Sequence, residues 1–265
     1  MRQVTMGKCW TDCYAKSGKK RQRTLFLAIL LVCTGVTGSL ALAVDNRQAF
    51  SSSSPLWLMA VGQLQVPGSR YENGKRSQHL EDCSATLVAK TGAHRANTII
   101  TAWHCLEYYQ DLSKTISFTL VEPSGQALTR EAYRLADGGG MHNDWAILRL
   151  YQPIQRSQVA GIALHPARAD PQQPITMAGY SRDAGMGQRG EQLSYDANCS
   201  IIAQTGDSTD SNCLAHKGAS GGAVVQLSLQ GQALYAGVIS RGDSEGLSIY
   251  VPVSRFRSAL TQHMN

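Results

Sequence analysis

The sequence predicts an all-β fold, a barrel or a sandwich, with a single helix at the C-terminus. Short apolar, β-branched runs recur with turn residues between them at a spacing of about ten residues. Only residues 253–264 carry the helical period, with Phe256, Leu260 and Met264 on one face. The third observation is the stretch Lys217-Gly218-Ala219-Ser220-Gly221-Gly222, a serine among glycines directly before the apolar run Ala223-Val224-Val225. Glycines let the backbone adopt conformations closed to other residues and let a substrate come close. On its own this pattern fits a turn between two strands equally well.

Taken in order, the chain opens on a basic segment. Residues 1–43 hold seven Lys/Arg and one acid, against 25 and 19 in the whole chain, so the remaining 18 basic and 18 acidic residues balance. The net charge of +6 therefore belongs to this segment, and the body shows no cationic excess suited to nucleic acid. Lys19-Lys20-Arg21-Gln22-Arg23 precedes an uncharged apolar run over residues 25–44 that contains Ala41-Leu42-Ala43. A basic stretch, an apolar stretch and a small-x-small site together read as a secretory signal cut after Ala43. The same run is long enough to span a bilayer uncut, with its basic end inside. The protein is thus expected to be secreted or periplasmic or, if uncut, membrane-anchored with its body outside. Residues 44–54 are polar and end in four serines. They read as a flexible leader that stays in solvent and is dispensable for activity.

The body begins at Pro55. Residues 56–61 are an apolar, strand-like run, and residues 67–82 are polar and contain glycine, a loop. Residues 83–89, 98–102, 115–121 and 127–135 read as strands. Asp137-Gly138-Gly139-Gly140 breaks the chain before Trp145-Ala146-Ile147-Leu148. Residues 151–159 lack a period and contain a proline, so they are read as the crossing between two halves, 55–160 and 161–265. The second half repeats the texture at residues 175–180, 192–202, 223–229, 233–240 and 247–251.

Four cysteines lie beyond the basic segment: Cys83, Cys105, Cys199 and Cys213. An even number in an exported chain points to disulfides, and three pairings are open. Short loops favour neighbour pairing, at about 3 kcal/mol for each bridge on the chain-entropy model. The four contain no Cys-x-x-Cys pair, which argues against zinc, and no metal or other cofactor is expected.

A serine is a weak nucleophile without a base, so a base and its orienting group are needed. His104, in Thr101-Ala102-Trp103-His104-Cys105, follows an apolar run and adjoins a cysteine. Asp144, in Asn143-Asp144-Trp145-Ala146-Ile147-Leu148, stands at the mouth of another. With Ser220 they give the order His, Asp, Ser. Histidine deprotonating serine, with a carboxylate holding the imidazole tautomer, is a known solution for acyl transfer. Singly, each residue has a structural explanation as a turn or strand-end residue; together they make a constellation.

From about Pro55 to its end, the chain resembles the trypsin/chymotrypsin-like serine endopeptidases. The three stretches match that family's histidine, aspartate and serine boxes. Cys83 in Cys-Ser-Ala-Thr-Leu-Val matches the cysteine that pairs with the one after the catalytic histidine, here Cys105. Ile239-Ser240-Arg241-Gly242 resembles the strand that pairs with substrate backbone. The resemblance implies a chymotrypsin-like fold, two six-stranded antiparallel β-barrels with a C-terminal helix and a cleft between the barrels. It implies a protein or peptide substrate, the catalytic residues His104, Asp144 and Ser220, and oxyanion donors at the N–H groups of Gly218 and Ser220. Leu214 falls at the base of the specificity pocket, with Ser240, Arg241 and Gly242 along the substrate.

Departures from the pattern are informative. Animal-type members carry an aspartate just before the nucleophile, where this chain has Ala219. That difference, and the stretch from Pro55 to Gly62, place the chain nearer the bacterial glutamyl-endopeptidase-like branch. The acid of Lys/Arg-specific members is replaced by Leu214, and the histidine of glutamate-specific members by Ile239. Two alternatives remain. One is a protease fold that has lost catalysis and binds partners. The other is an α/β-hydrolase-type esterase using Ser220, Asp243 and His263, for which the chain after Ser220 is short.

Overall fold

A computed structural model describes residues 45–264. The signal or anchor segment expected at residues 1–43 lies outside the described residues. Among the described residues no helix is long and apolar enough to cross a membrane.

A short strand comes first, β1 (Gln48–Ala49). It is followed by β2 (Val61–Glu72), β3 (Lys75–Val88), β4 (Arg95–Thr101), β5 (Ile116–Val121), β6 (Ala127–Asp137) and β7 (Ala146–Gln155). Strands β2 to β7 close into an antiparallel barrel in the order β2-β3-β4-β7-β6-β5, with β5 returning to β2. Alternation drives the closure. In β5, Ile116, Phe118 and Leu120 are fully buried while the residues between them are partly exposed, the period of two that puts one face of a strand on a core.

The second half contains β8 (Ala163–Leu164), β9 (Ile175–Gly179), β10 (Ser194–Cys199), β11 (Ile201–Gln204), β12 (Thr209–Ser211), β13 (Ala223–Leu227), β14 (Ala233–Gly242) and β15 (Ser248–Pro252). Its sheet runs β1-β10-β9-β13-β14-β15-β12-β11, with β8 alongside β14. The all-β, chymotrypsin-like architecture expected from the sequence is present, with one difference. Only the first barrel closes through its ladders; the second sheet curls and stays open between β1 and β11. The helix expected over residues 253–264 is shorter: a 3-10 turn (Val253–Arg255) leads into α1 (Arg257–His263), while Phe256, Leu260 and Met264 are buried as the periodicity predicts. Phe256 stacks on Trp145 at 5.3 Å between ring centroids, which ties the helix to the start of β7.

Four local expectations are corrected. Residues 56–60 form a 3-10 turn rather than a strand, with Pro55 accepting the first turn bond from Leu58. A short apolar run does not by itself distinguish the two. Residues 67–82 are not a loop but the arms of the β2–β3 hairpin, turned at Asn73-Gly74, both at positive φ. The Asn-Gly pair is the sequence signal for such a turn. The arms are exposed near the turn, so no hydrophobic alternation marks them. Residues 151–155 continue β7; Pro153 falls where the β4–β7 ladder is interrupted, a place a proline tolerates.

The fourth correction concerns the leader. Residues 45–50 are docked against the second sheet. Gln48 and Ala49 pair with Tyr195 and Ser194, the Phe50 N–H donates to Leu193 O at 2.8 Å, and Arg47 is buried. Ser51 to Ser53 are exposed, as their composition predicts; it is the residues before them that dock, because β10 offers an edge to pair with.

Candidate active site

The elements that end at the cleft between the two sheets bring His104, Asp144 and Ser220 together. His104 sits in a 3-10 turn (Trp103–Leu106) that leaves β4, and Cys105 bonds to Cys83 on β3. Asp144 follows a second 3-10 turn (Met141–Asn143) and precedes β7. Ser220 lies in the turn before β13.

The Asp144 side chain is fully buried. Its Oδ1 accepts the backbone N–H of His104 at 2.9 Å, and its Oδ2 faces His104 Nδ1 at 2.9 Å. Ser240 Oγ donates to the same Oδ2 at 2.5 Å. A carboxylate accepts rather than donates, so the contact suits the imidazole tautomer with its proton on Nδ1, which leaves Nε2 without one. The imidazole is about a quarter exposed, open on the cleft side. Ser220 Oγ donates to the Ser240 carbonyl at 3.4 Å rather than to His104.

Ser240 therefore does two things that its sequence match did not suggest. The β14–β15 register shifts between Ile239 and Arg241, so Ser240 is the extra residue of a bulge. Bulges re-aim side chains, and this one turns the hydroxyl onto Asp144.

The serine turn is held by close backbone approach. Gly218 has φ +98°, and a Cβ there would meet Tyr180 O at 2.6 Å. Gly221 has φ +83°, and a Cβ there would meet Ser84 O at 2.1 Å. Only glycine fits either position. Ser84, the residue after Cys83, joins the two sheets: its N–H donates to Ser220 O at 2.8 Å and its Oγ to Gly218 O at 2.9 Å, while Tyr180 N–H donates to that Oγ at 2.8 Å. Nothing in the sequence marks Ser84 except its place beside the cysteine. Among the described residues, the N–H groups of Gly218 and Ser220 have no hydrogen-bond acceptor.

The cavity at the site has a volume of about 320 Å³. Its walls include His104, Ser220, Ser240 and Gly242, with Lys217 and Arg241 also lining it and no acid among the lining residues. Leu214, expected at the pocket base, does not line it. Leu214 lies instead behind the serine turn, beside a small void shared with Arg47, Ser181 and Ala219. Its N–H donates to Asp196 Oδ2 at 2.7 Å; burial pushes the Asp196 carboxyl up, against the lowering effect of that bond. The other two cysteines among the described residues form the second bridge, Cys199–Cys213, in the segment leading to the serine turn.

The groups of the esterase alternative do not gather. The Asp243 carboxylate closes its own turn, accepting the N–H groups of Glu245 at 2.8 Å and Leu247 at 2.9 Å. His263 ends α1, its carbonyl bonded by Thr98.

Compared with known proteins, the chain matches the family model described as Trypsin over residues 71–260. No curated protein matches it.

Proposed function

Starting from the fact that this chain belongs to the trypsin family, we propose that it is an exported serine endopeptidase. The observation that carries this reading is the buried Asp144 carboxylate gripping both the backbone and the Nδ1 of His104, across the cleft from a glycine-cradled Ser220.

In this reading His104 Nε2 removes the Ser220 proton as Oγ attacks the scissile carbonyl. The Gly218 and Ser220 N–H groups, which have no acceptor of their own, take up the developing oxyanion. The imidazolium, held by Asp144, then gives its proton to the leaving amine, and water resolves the acyl-enzyme by the reverse path. Rotation about the Ser220 Cα–Cβ bond exchanges the Ser240 carbonyl for His104 as partner. Such bonds are often loose before substrate arrives.

The substrates are proteins or peptides. Lys217 and Arg241 on an acid-free wall favour neutral or acidic side chains over Lys/Arg. Ala219 in place of an aspartate supports the glutamyl-endopeptidase-like branch, although Ile239 departs from its specificity histidine. The two disulfides support export.

The Ser220 hydrogen bond to Ser240 rather than His104 is what favours the second reading, a non-catalytic binding protein. A fluorophosphonate decides between them. Covalent labelling of Ser220, abolished by His104→Ala, is expected; an unlabelled Ser220 in folded protein would leave the binding reading.

A further inference from the structure

Arg47 lies in the segment expected to be a dispensable leader, yet its side chain is only 2% exposed. Its guanidinium makes four hydrogen bonds. Nε and Nη2 reach Asp45 at 2.9 and 2.7 Å, and Nη1 and Nη2 reach the two oxygens of Asp183 at 2.8 and 3.0 Å. A planar fork engaging two carboxylates fixes direction as well as distance. Asp183 in turn organises residues 181–191: its carboxylate accepts the Gly187 N–H at 3.3 Å and its carbonyl the Arg189 N–H at 2.8 Å.

One residue away, the Arg182 N–H donates to Lys217 O at 2.6 Å. That carbonyl and the Gly218 N–H belong to the same planar peptide, where they point in opposite directions. Holding Lys217 O on Arg182 therefore aims the Gly218 N–H away from the 181–191 loop and toward the cleft. Arg47 also borders the void beside Ala219. An alanine there offers no carboxylate to hold the serine turn from behind.

We infer that Arg47 is a positioning residue for the oxyanion donor Gly218, acting through Asp183 and the Arg182–Lys217 bond. The segment at residues 45–50 is the strap that delivers it. For catalysis this rests on the proposed peptidase function, but the positioning of the Gly218 peptide does not.

The test uses the full chain with Arg47→Met, Arg47→Lys and the gentler Asp183→Asn. Hydrogen exchange should speed up for Arg47→Met over residues 214–222 and not over residues 116–121 of the first barrel. On a peptide substrate kcat should fall about 100-fold with KM changed less than about threefold. Loss confined to kcat marks an interaction made in the transition state. Affinity for a peptide aldehyde, whose hemiacetal oxygen uses the same donors, should fall in parallel. Arg47→Lys should recover part of the loss, and Asp183→Asn, which remains informative if Arg47→Met does not fold, should lose about tenfold in kcat. Unchanged exchange over 214–222 in folded Arg47→Met or Asp183→Asn overturns the inference. So does a fall in kcat that the affinity for the aldehyde does not follow. If wild type neither turns over nor labels at Ser220, the peptidase reading fails while the exchange experiment still decides the role of Arg47.

Discussion

The two sheets that share the site are built differently. The first is a closed barrel with no free edge, and it carries His104 and Asp144. The second is open, and it carries Ser220, Ser240 and the Gly218 turn. A closed barrel fixes what grows from its rim because each strand is paired on both sides. An open sheet leaves edges that need covering, and here β1 covers the edge at β10. Each half has a disulfide, Cys83–Cys105 and Cys199–Cys213, but the serine turn is also held by the Ser84 bonds from β3 and, behind it, by the Arg47–Asp183 pair. In the proposed reading, the base rests on a closed barrel, one disulfide and Asp144, whereas the nucleophile and oxyanion donors depend on bonds that reach them from β3 and from residues 45–50.

The largest expected effects remove one group from each half. Ser220→Ala should lower kcat by about 10⁴-fold or more with the fold intact. Asp144→Asn should cost a comparable factor, because an amide facing Nδ1 favours the wrong imidazole tautomer. The double variant should lose little beyond either single one, since the groups act as a unit. Single-turnover assays of purified variants read this directly, and additive losses would mean that the halves act separately.

A smaller effect separates Ser240 from the residues that touch substrate. Ser240→Ala removes a hydrogen bond to a buried charge, worth about 2 kcal/mol. It should lower kcat about tenfold and stability by a similar energy. Substrate-side contacts of Arg241 would instead move KM and the cleavage preference, so profiling Arg241→Ala and Ser240→Ala on one peptide library distinguishes the two roles. A Ser240→Ala variant changed only in KM would refute the tie to Asp144.

How much of this was legible in the sequence follows the same division. The boxes around His104, Asp144 and Ser220 stand out because acyl transfer needs those residue types among glycines and strand ends. Neighbour pairing of the cysteines is favoured by short loops among three open pairings, and for Cys83–Cys105 it is implied by the family resemblance. Ser240 was visible as a strand residue but not as a partner of Asp144, because a bulge is a register event that appears only when β14 meets β15. Arg47 was hidden by its polar surroundings: its partner Asp183 is 136 positions away, beyond any local pattern. Leu214 was assigned to the pocket by its distance from Ser220, which does not record that the intervening chain turns behind the site.

The disulfides test the comparison through stability. Either bridge replaced by two alanines should cost about 3 kcal/mol, or roughly 10 °C in Tm for a domain of this size. The difference should lie in where protection is lost. Without Cys83–Cys105 the ladders of the closed barrel should still protect β3 and β4. Without Cys199–Cys213 the edge strand β11 and its neighbour β12 should exchange freely. Hydrogen exchange of the two double variants reads this, and equal local loss would remove the distinction between the sheets.

The smallest effect expected is in the acid limb of stability. Asp183 has its carboxyl drawn down to about 2 by the Arg47 hydrogen bonds, against a smaller opposing effect of burial. Its folded value lies below the unfolded value near 3.9. The stabilisation is therefore complete above about pH 4 and is lost as pH falls toward 2, because protonation then occurs in both states. Asp45, lowered chiefly by the same guanidinium, adds to the loss in the same direction. Denaturant unfolding of wild type and Asp183→Asn between pH 5 and 2 should show the curves converging as the wild type loses this contribution. Among the described residues no ion pair links the first barrel to residues 45–50, so hydrogen exchange at β5 should stay flat over the part of that range where the protein remains folded. Exchange over residues 181–191 should rise as pH falls. If β5 loosens together with 181–191, acid is unfolding the molecule as one unit, and the strap is not a separately titrating part of the second sheet.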